Sequence, residues 1–198
     1  MAKRAFDVLL SSLGLLMLSP VLIAIAVAVK LDSPGPVFYR QERVGRFGRS
    51  FRIHKFRTMH HNPQGAGLQI TVGRDPRITR VGQVLRETKL DELAQLLDVW
   101  LGDMSLVGPR PEVPRYVAHY PAEMKAKVLS VRPGITDIAS IEYRDENRIL
   151  AQATDPEQAY IREVMPHKLA LAAQYVDHAS LWMDVRLIWR TLRAIVRR

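Results

Sequence analysis

The sequence of 198 residues contains no cysteine. Disulfide bonds, thiolate metal sites and a cysteine nucleophile are therefore excluded. Acidic residues are few relative to basic ones: 20 aspartates and glutamates stand against 29 lysines and arginines, which gives a formal charge of +9. Such an excess favours an anionic partner, either nucleic acid, an anionic lipid surface or a phosphorylated substrate. Repeats and low-complexity runs are also absent, and the length is that of one domain.

Charged residues are missing from one long stretch, Val8 to Val29, which is long enough for a helix that spans a membrane. Ser19 and Pro20 lie at its middle, where proline removes a backbone hydrogen bond and the serine hydroxyl can satisfy the freed carbonyl. Positive charge flanks both ends of this stretch. Since positive residues favour the cytoplasmic side of a membrane, both ends are expected on that side. A re-entrant helix that breaks at Ser19-Pro20 satisfies both observations. An ordinary kinked span is the alternative, and a signal peptide is disfavoured because the apolar run is too long.

Two adjacent carboxylates, Asp91 and Glu92, begin a short amphipathic helix that we predict for residues 90–101, because leucines recur there at helical spacing. A Gly-Pro-Arg-Pro segment follows, and its prolines hold Arg110 in an extended or turned backbone. An acidic pair beside a rigidly held arginine indicates a site for a metal ion and a phosphate. The competing interpretation is structural, since Thr88 and Asp91 match a capping box in which Thr88 caps the helix.

The remaining pattern predicts a hairpin followed mainly by helices. Two strand-like runs start at Val37 and Phe51, with a turn at residues 46–50 between them. Lys55 and Arg57 share one face of the second run and are candidates for holding an anion. Residues 132–136 are expected to form a turn and residues 138–143 a strand. The last helix, from residue 180, carries tryptophans and arginines, which is typical of a membrane-interface helix or of a helix packed on the core.

Several longer motifs run from residue 3 to residue 136. They are Lys3-Arg4-x-x-Asp7, the apolar helix with Ser19-Pro20, residues 35–45, Lys55-Phe56-Arg57-Thr58-Met59, Asp75-Pro76-Arg77-Ile78-Thr79, Leu90-Asp91-Glu92-Leu93, residues 102–112 and Arg132-Pro133-Gly134-Ile135-Thr136. In this order the motifs resemble those of the small bacterial sugar transferases, the monotopic phosphoglycosyl transferases. The resemblance covers most of residues 3–136.

The resemblance implies transfer of a phospho-sugar from a UDP-sugar to undecaprenyl phosphate, with release of UMP. It implies that Asp91 is the nucleophile, which forms a covalent phospho-sugar-aspartyl intermediate, and that Asp91 and Glu92 form the site for Mg²⁺. Positive side chains would bind the substrate phosphates, and the candidates are Lys55, Arg57, Arg77, Arg110 and Arg144. We therefore expect a cofactor, Mg²⁺, that suits oxygen ligands and phosphate groups.

The expected fold class is α/β, mostly helical with a small sheet or hairpin, together with amphipathic interfacial helices. Residues 1–31 would form the re-entrant membrane helix and residues 32–198 a cytosolic catalytic domain, the two acting as one functional unit. The expected location is the cytosolic face of the bacterial inner membrane, at the first membrane step of a glycan or exopolysaccharide pathway.

The expected partners are the UDP-sugar, undecaprenyl phosphate and the lipid bilayer, with a homodimer and downstream glycosyltransferases as further candidates. Nucleic acid is not expected, because the chain shows neither aromatic platforms interleaved with basic residues nor a recognisable reader motif. A membrane-tethered nucleic-acid-binding protein is therefore the weaker alternative. A catalytically lapsed membrane scaffold of the same family is the other, and the intact acidic pair and Arg110 argue against it.

Overall fold

The computed structural model describes residues 1–61, 75–143, 150 and 152–196, and these are mostly helical. The helices are α1 (Ala2–Asp32), α2 (Arg80–Thr88), α3 (Leu96–Leu101), α4 (Pro114–Val117), α5 (Ala122–Val128), α6 (Ile138–Glu142), α7 (Pro156–Ala159), α8 (Met165–His178) and α9 (Leu181–Val196). The strands are β1 (Phe38–Val44), β2 (Ser50–Phe56), β3 (Ser105–Val107) and β4 (Gly134–Thr136). Short 3-10 segments lie at Arg46–Gly48 and Leu90–Gln95, and a π-helical turn, Tyr160–Val164, joins α7 to α8.

The described strands form two small sheets. Strands β1 and β2 are an antiparallel hairpin in which Phe38 lies opposite Phe56, so the predicted hairpin and its turn are confirmed. Strands β3 and β4 are a parallel pair, with Ser105 opposite Gly134. The small-sheet, mostly helical class expected from the sequence is therefore confirmed in its coarse form.

Two local predictions after residue 130 were wrong. Residues 134–136 belong to strand β4 rather than to a turn, and residues 138–142 form helix α6 rather than a strand. The reason is a helix cap: the Asp137 side chain accepts a 2.6 Å hydrogen bond from the backbone N–H of Ser140. An aspartate in this position satisfies a free N–H group of the first turn and starts a helix despite the β-branched residues around it.

The β3–β4 pair depends on two glycines that bring the backbones into close contact. A Cβ atom at Gly134 would lie 2.1 Å from the backbone nitrogen of Gly108, and one at Gly108 would lie 2.5 Å from the carbonyl oxygen of Arg132. Backbone atoms cannot move aside as a flexible side chain can, so both positions require glycine. This contact holds the end of strand β3, from which the Pro109-Arg110-Pro111 segment continues.

Helix α1 lies along the rest of the protein through one stripe of residues. Its buried members are Asp7, Ser11, Ile25 and Val29, which recur at helical spacing, and Gly14 lets the side chain of Leu96 in α3 approach closely. The helix is uninterrupted at Pro20, and the Ser19 hydroxyl donates a 2.8 Å hydrogen bond to the carbonyl of Leu16. That carbonyl is the one that Pro20 leaves without its helical donor. The predicted compensation by Ser19 is therefore present, whereas the predicted break is not confirmed.

The Lys3-Arg4-x-x-Asp7 motif attaches the start of α1 to the protein body. The ammonium of Lys3 donates to the carbonyl of Val107 (3.0 Å) and to the Asp184 carboxylate of α9 (2.6 Å). Arg4 donates to the carbonyls of Val99 and Trp100 at the end of α3. Asp7 is 2% exposed and accepts from the Ser105 hydroxyl and the Leu106 N–H, both at 3.1 Å. The motif thus joins α1 to α3, β3 and α9.

The last helix, α9, has two different faces. Asp184 and Leu187 are buried against the core, whereas most of the other large apolar residues of this helix are exposed. The exposed large ones are Leu181, Trp182, Val185, Trp189 and Leu192. Helix α9 therefore packs on the core and also presents an outward stripe of tryptophan and aliphatic side chains. The interpretation as a helix packed on the core is confirmed, and a place at the membrane interface stays a prediction.

Candidate active site

The acidic pair lies in a 3-10 segment rather than in the first turn of an α-helix. Residues Leu90–Gln95 form this segment, and the regular helix α3 begins only at Leu96. The capping-box interpretation was wrong, because the hydroxyl of Thr88 donates to the carbonyl of Val84 (2.7 Å) and ends helix α2. Lys89, with a φ of 61°, then turns the chain between the two elements. Such a left-handed residue other than glycine is uncommon and marks a sharp change of direction before Asp91.

One oxygen of the Asp91 carboxylate is buried without a donor among the described residues. The residue is 9% exposed, and its Oδ1 atom is buried and has no hydrogen-bond partner among the described residues. Burial raises the pKa of Asp91, and the nearby Lys55 acts in the opposite direction. A buried acceptor without a donor is costly and uncommon in folded proteins, so the Oδ1 atom of Asp91 is a candidate for contact with a ligand.

Glu92 differs from Asp91 because one of its carboxylate oxygens accepts hydrogen bonds from two cationic side chains. Its Oε1 atom accepts a 2.9 Å hydrogen bond from the ammonium of Lys55 in β2 and a short one from the guanidinium of Arg110. The side chains are 17%, 19% and 30% exposed, respectively. The structure therefore brings three of the sequence-predicted site residues into one contact group beside Asp91. We refer to Lys55, Asp91, Glu92 and Arg110 as the acidic-pair site.

Charges within this site shift the pKa values in a consistent direction. Burial by itself would raise the pKa of Glu92, but Arg110 and Lys55 outweigh it and hold that pKa well below its usual range. The Glu92 carboxylate in turn raises the pKa of Arg110. Burial lowers the pKa of Lys55, against the opposing attraction of Glu92. Glu92 is thus a fixed negative charge bonded to two cations, while one oxygen of Asp91 has no partner among the described residues.

Arg110 is placed by its backbone as well as by its side chain. The prolines on either side restrict its conformation, and its N–H donates to the buried carboxylate of Asp137 at 3.3 Å. The carbonyl of Pro109 accepts a 3.0 Å hydrogen bond from Gly134 on the neighbouring strand. The Arg110 guanidinium and the Lys55 ammonium both have more N–H donors than their bonds to Glu92 use. The remaining donors could bind phosphate oxygens.

Arg57 and Arg77 lie elsewhere in contacts of their own. Arg57 is 4% exposed, and its guanidinium donates to Val29, Ser33 and Pro36 at the end of α1. Arg77 forms a paired contact with Asp75, with atoms 2.6 Å and 2.9 Å apart. Arg144 lies outside the described residues. A phosphate-binding role for these three arginines remains a prediction, and the described contacts of the first two are with the protein.

Arg43 and Glu112 support the Arg110 segment, and neither was predicted from the sequence as a site residue. Arg43 in β1 donates to the carbonyl of Pro111 (2.9 Å) and lies 3.7 Å from the Glu112 carboxylate. Glu112 also accepts a hydrogen bond from the hydroxyl of Tyr160. A signal was present, because Glu112 directly follows the rigid Pro-Arg-Pro and a carboxylate there needs a cation when it is buried.

The acidic-pair site provides part of the ligand set that a divalent cation requires. No group of three or more histidine, aspartate or glutamate side chains that could hold a metal ion occurs among the residues that the structure describes. Mg²⁺, however, is usually held by one or two carboxylates together with substrate phosphates and water. The free buried oxygen of Asp91, next to Glu92, matches that limited requirement.

The site lies directly against the apolar helix α1. Ala94, in the same 3-10 segment as the acidic pair, packs in one hydrophobic cluster with Ile25 and Val29 of α1, Phe56 of β2 and Leu85 of α2. The outer side of α1 exposes many large apolar residues, at positions 9, 13, 16, 17, 21, 23, 27 and 31. Among the described helices, α1 is the one that is long and apolar enough to cross a membrane.

Comparison with known proteins identifies the family. A family model described as bacterial sugar transferase matches residues 1–198. A UDP-N-acetylgalactosamine-undecaprenyl-phosphate N-acetylgalactosaminephosphotransferase of Aeromonas hydrophila is 38% identical over 196 residues, which are 98% of this chain and 43% of that protein. A UDP-glucose:undecaprenyl-phosphate glucose-1-phosphate transferase of Caulobacter vibrioides is also 38% identical, over 98% of this chain and 69% of that protein.

The exopolysaccharide production protein PSS of Rhizobium leguminosarum has nearly the same extent as this chain. It is 38% identical over 206 residues, which cover 96% of this chain and 92% of that protein. The chain thus spans less than half of the Aeromonas relative, but most of the Rhizobium one. The sequence motifs, the geometry of the acidic-pair site and the match over the whole length agree, and the chain belongs to the bacterial sugar transferase family.

Proposed function

We propose that the protein is a polyprenyl-phosphate phosphoglycosyl transferase, which moves a phospho-sugar from a UDP-sugar to undecaprenyl phosphate and releases UMP. The observation that carries the proposal is the pair of carboxylates with opposite surroundings. Asp91 has a buried oxygen without a donor among the residues that the structure describes, whereas Glu92 is bonded to Lys55 and Arg110. One carboxylate is therefore available for chemistry and the other holds the cations that a diphosphate requires.

The first half-reaction forms a covalent intermediate on Asp91. An oxygen of its carboxylate attacks the phosphorus that carries the sugar, and the bond from that phosphorus to the bridging oxygen breaks. UMP leaves with the electron pair of that bond. Lys55 and Arg110 donate hydrogen bonds to the phosphate oxygens, where negative charge is held in the transition state. Their link to Glu92 keeps both cations on the same side of the nucleophile.

The second half-reaction regenerates Asp91. A phosphate oxygen of undecaprenyl phosphate attacks the same phosphorus, the acyl-phosphate bond breaks, and the carboxylate is released. The product is the undecaprenyl diphosphate sugar. Asp91 and Glu92 would hold the Mg²⁺ that such chemistry uses, and when bound the ion would neutralise the charge of the diphosphate. Leu90 and Ala94, in the same 3-10 segment as Asp91, pack against α1, so a lipid whose tail lies beside α1 would bring its phosphate towards Asp91.

We further propose that α1 rests in the bilayer with both ends on one side of it. The support is that both ends of the helix bind the same body. Lys3 and Arg4 bind β3 and α3 at the start, and at the end Arg57 donates to the Val29 carbonyl while Asp32 accepts from the Val81 N–H. A helix that crossed the membrane would separate one of these ends from the body. The exposed tryptophans of α9 and α3 suit the same interface.

Cysteine labelling should show this topology. The chain has no cysteine of its own, so Ala2→Cys and Pro34→Cys each introduce one reactive thiol at an exposed position beside an end of α1. In inverted inner-membrane vesicles we expect both thiols to react with a membrane-impermeant maleimide, and in right-side-out vesicles neither. Detergent-solubilised protein provides the control for full reactivity. Labelling of the two variants from opposite sides would contradict the one-sided arrangement.

The proposed reaction is tested by UMP release from a panel of UDP-sugars with undecaprenyl phosphate and Mg²⁺. Release is expected with one or two of the sugars, and a metal chelator should reduce it to background because the diphosphate would then lack its counter-ion. Restoring excess Mg²⁺ after chelation is the control. A catalytically lapsed scaffold would release no UMP with any sugar at any Mg²⁺ concentration, and that result would remove the proposal.

A further inference from the structure

Asp98 in helix α3 is a buried carboxylate outside the acidic-pair site. It is 0% exposed, and both of its oxygens are used by a single residue, His54 of strand β2. The backbone N–H of His54 donates to Oδ2 at 2.8 Å, and the ring Nδ1 lies 2.6 Å from Oδ1. The Asp98 carboxylate accepts this second hydrogen bond when Nδ1 of the ring carries the proton, because an ionised carboxylate has no donor of its own. Asp98 therefore binds strand β2 through its backbone and its side chain together.

Asp98 lies in the first turn of α3 and is itself held firmly. Its backbone carbonyl accepts from the N–H groups of Gly102 (3.1 Å), Asp103 (3.0 Å) and Met104 (3.1 Å), which close the helix. The apolar side chains next to both residues pack together, since Ile53 of β2 contacts Val99 and Met104. The carboxylate is therefore a fixed point, and His54 is attached to it.

Lys55, the next residue of β2, is the cation that bonds Glu92. Its ammonium lies 2.9 Å from Oε1 of Glu92, in the 3-10 segment that continues into α3. Glu92 and Asp98 thus belong to one continuous stretch of chain, and Lys55 and His54 are adjacent residues of one strand. A slip of β2 by one residue against this stretch would exchange the faces of the two side chains and remove Lys55 from Glu92.

We propose that Asp98 is a positioning residue for Lys55: by holding His54 it fixes the register of β2 against α3 and keeps the Lys55 ammonium at the diphosphate. This inference rests on the role of Lys55 in the proposed function. It gives a reason for burying a carboxylate where burial raises its pKa and an apolar residue would cost less. A polar pair that accepts only one alignment adds to the register that the hydrophobic pattern and the pairing of β2 with β1 already favour.

A double-mutant cycle tests the proposal. Asp98→Asn, Lys55→Met and the double variant are compared for kcat/KM of UMP release and for UDP affinity by isothermal titration calorimetry. In the wild-type background Asp98→Asn is expected to lower kcat/KM at least 10-fold, and in the Lys55→Met background less than 2-fold, because the group that Asp98 places is already gone. The same non-additivity is expected for UDP affinity.

Asp184→Asn is the matched control, since Asp184 is equally buried but bonds Lys3 and Tyr175, away from the site. Its effect should be the same factor in both backgrounds. His54→Phe is the second variant; it keeps the ring contact with Phe38 and the backbone N–H but removes the Nδ1 donor, and it should behave as Asp98→Asn does. Equal factors for Asp98→Asn with and without Lys55, or no loss, would overturn the proposal. If the wild type shows no turnover, the proposed function fails and the cycle on UDP affinity still decides the role of Asp98.

Discussion

Asp91→Asn should abolish turnover while leaving the fold intact. An amide cannot form the acyl-phosphate bond, so the covalent route is closed and UMP release is expected to fall by about 10⁴-fold or more. Thermal stability should stay the same or rise, because the variant removes a charge from a place where burial opposes it and where one oxygen has no donor within the described part of the chain. The measurements are steady-state UMP release and the midpoint of thermal unfolding.

The same variant tests the intermediate directly. Wild-type protein incubated with a UDP-sugar labelled in the sugar, without undecaprenyl phosphate, should retain label on the chain and release UMP in a single burst. Asp91→Asn should show neither. Asp103→Asn is the control, because Asp103 is an exposed carboxylate in the loop after α3, and it should label as the wild type does. Normal turnover in Asp91→Asn would mean that the nucleophile is another residue, and the proposed mechanism would be discarded.

The sequence predicted the components of the site better than their local backbone. The acidic pair and the arginine held between prolines indicated a shared site, and the structure brings Arg110 and Lys55 into contact with Glu92. The helix type and the cap were missed. A threonine followed three residues later by an acid has the same pattern whether the threonine ends one helix or begins the next. Here helix α2 continues to Thr88, and Lys89 turns the chain.

Arg57 shows a different limit of reasoning from alternation. Residues 55 and 57 share a face if the strand continues, but β2 ends at Phe56. Arg57 therefore leaves the strand and binds the carbonyl groups at the end of α1, which lie nearly thirty positions earlier in the chain. The sequence pattern predicts the direction of a side chain only inside an element, and long-range partners such as these are outside what a short window can indicate.

The fold was predictable where one local signal dominated. Helix α1 and the hairpin follow from long apolar or alternating patterns, and Ser19 compensates the carbonyl that Pro20 frees, as expected from the chemistry of proline. The Asp137 cap and the close glycine contact after residue 130 were not predictable in the same way. Gly134 requires the backbone of Gly108 beside it, and that contact exists only when strands distant in sequence have already paired.

Arg110→Lys is expected to have the second largest effect, although it preserves the charge. A lysine cannot offer several N–H groups in one plane to Glu92 and to a phosphate at once, so the transition state should lose about 2–3 kcal/mol, or roughly 100-fold in kcat/KM. The loss should fall mainly on kcat if Arg110 acts on charge that develops during transfer, with a smaller change in KM for the UDP-sugar.

Stability and catalysis should respond differently at this position. Arg110→Ala leaves the largely buried Glu92 carboxylate with Lys55 as its remaining described partner, which should lower the free energy of unfolding by on the order of 1–3 kcal/mol. Adding both Glu92→Gln and Lys55→Met to Arg110→Ala should recover much of that stability in urea unfolding, because none of the three charges is then left without its partner, but it should recover no turnover. Arg115→Lys, at an exposed ion pair with Glu157, is the control and should change neither quantity appreciably. Full turnover in Arg110→Lys with an unchanged KM would show that the arginine serves only to neutralise Glu92, and phosphate binding would then have to come from Lys55 and the metal ion alone.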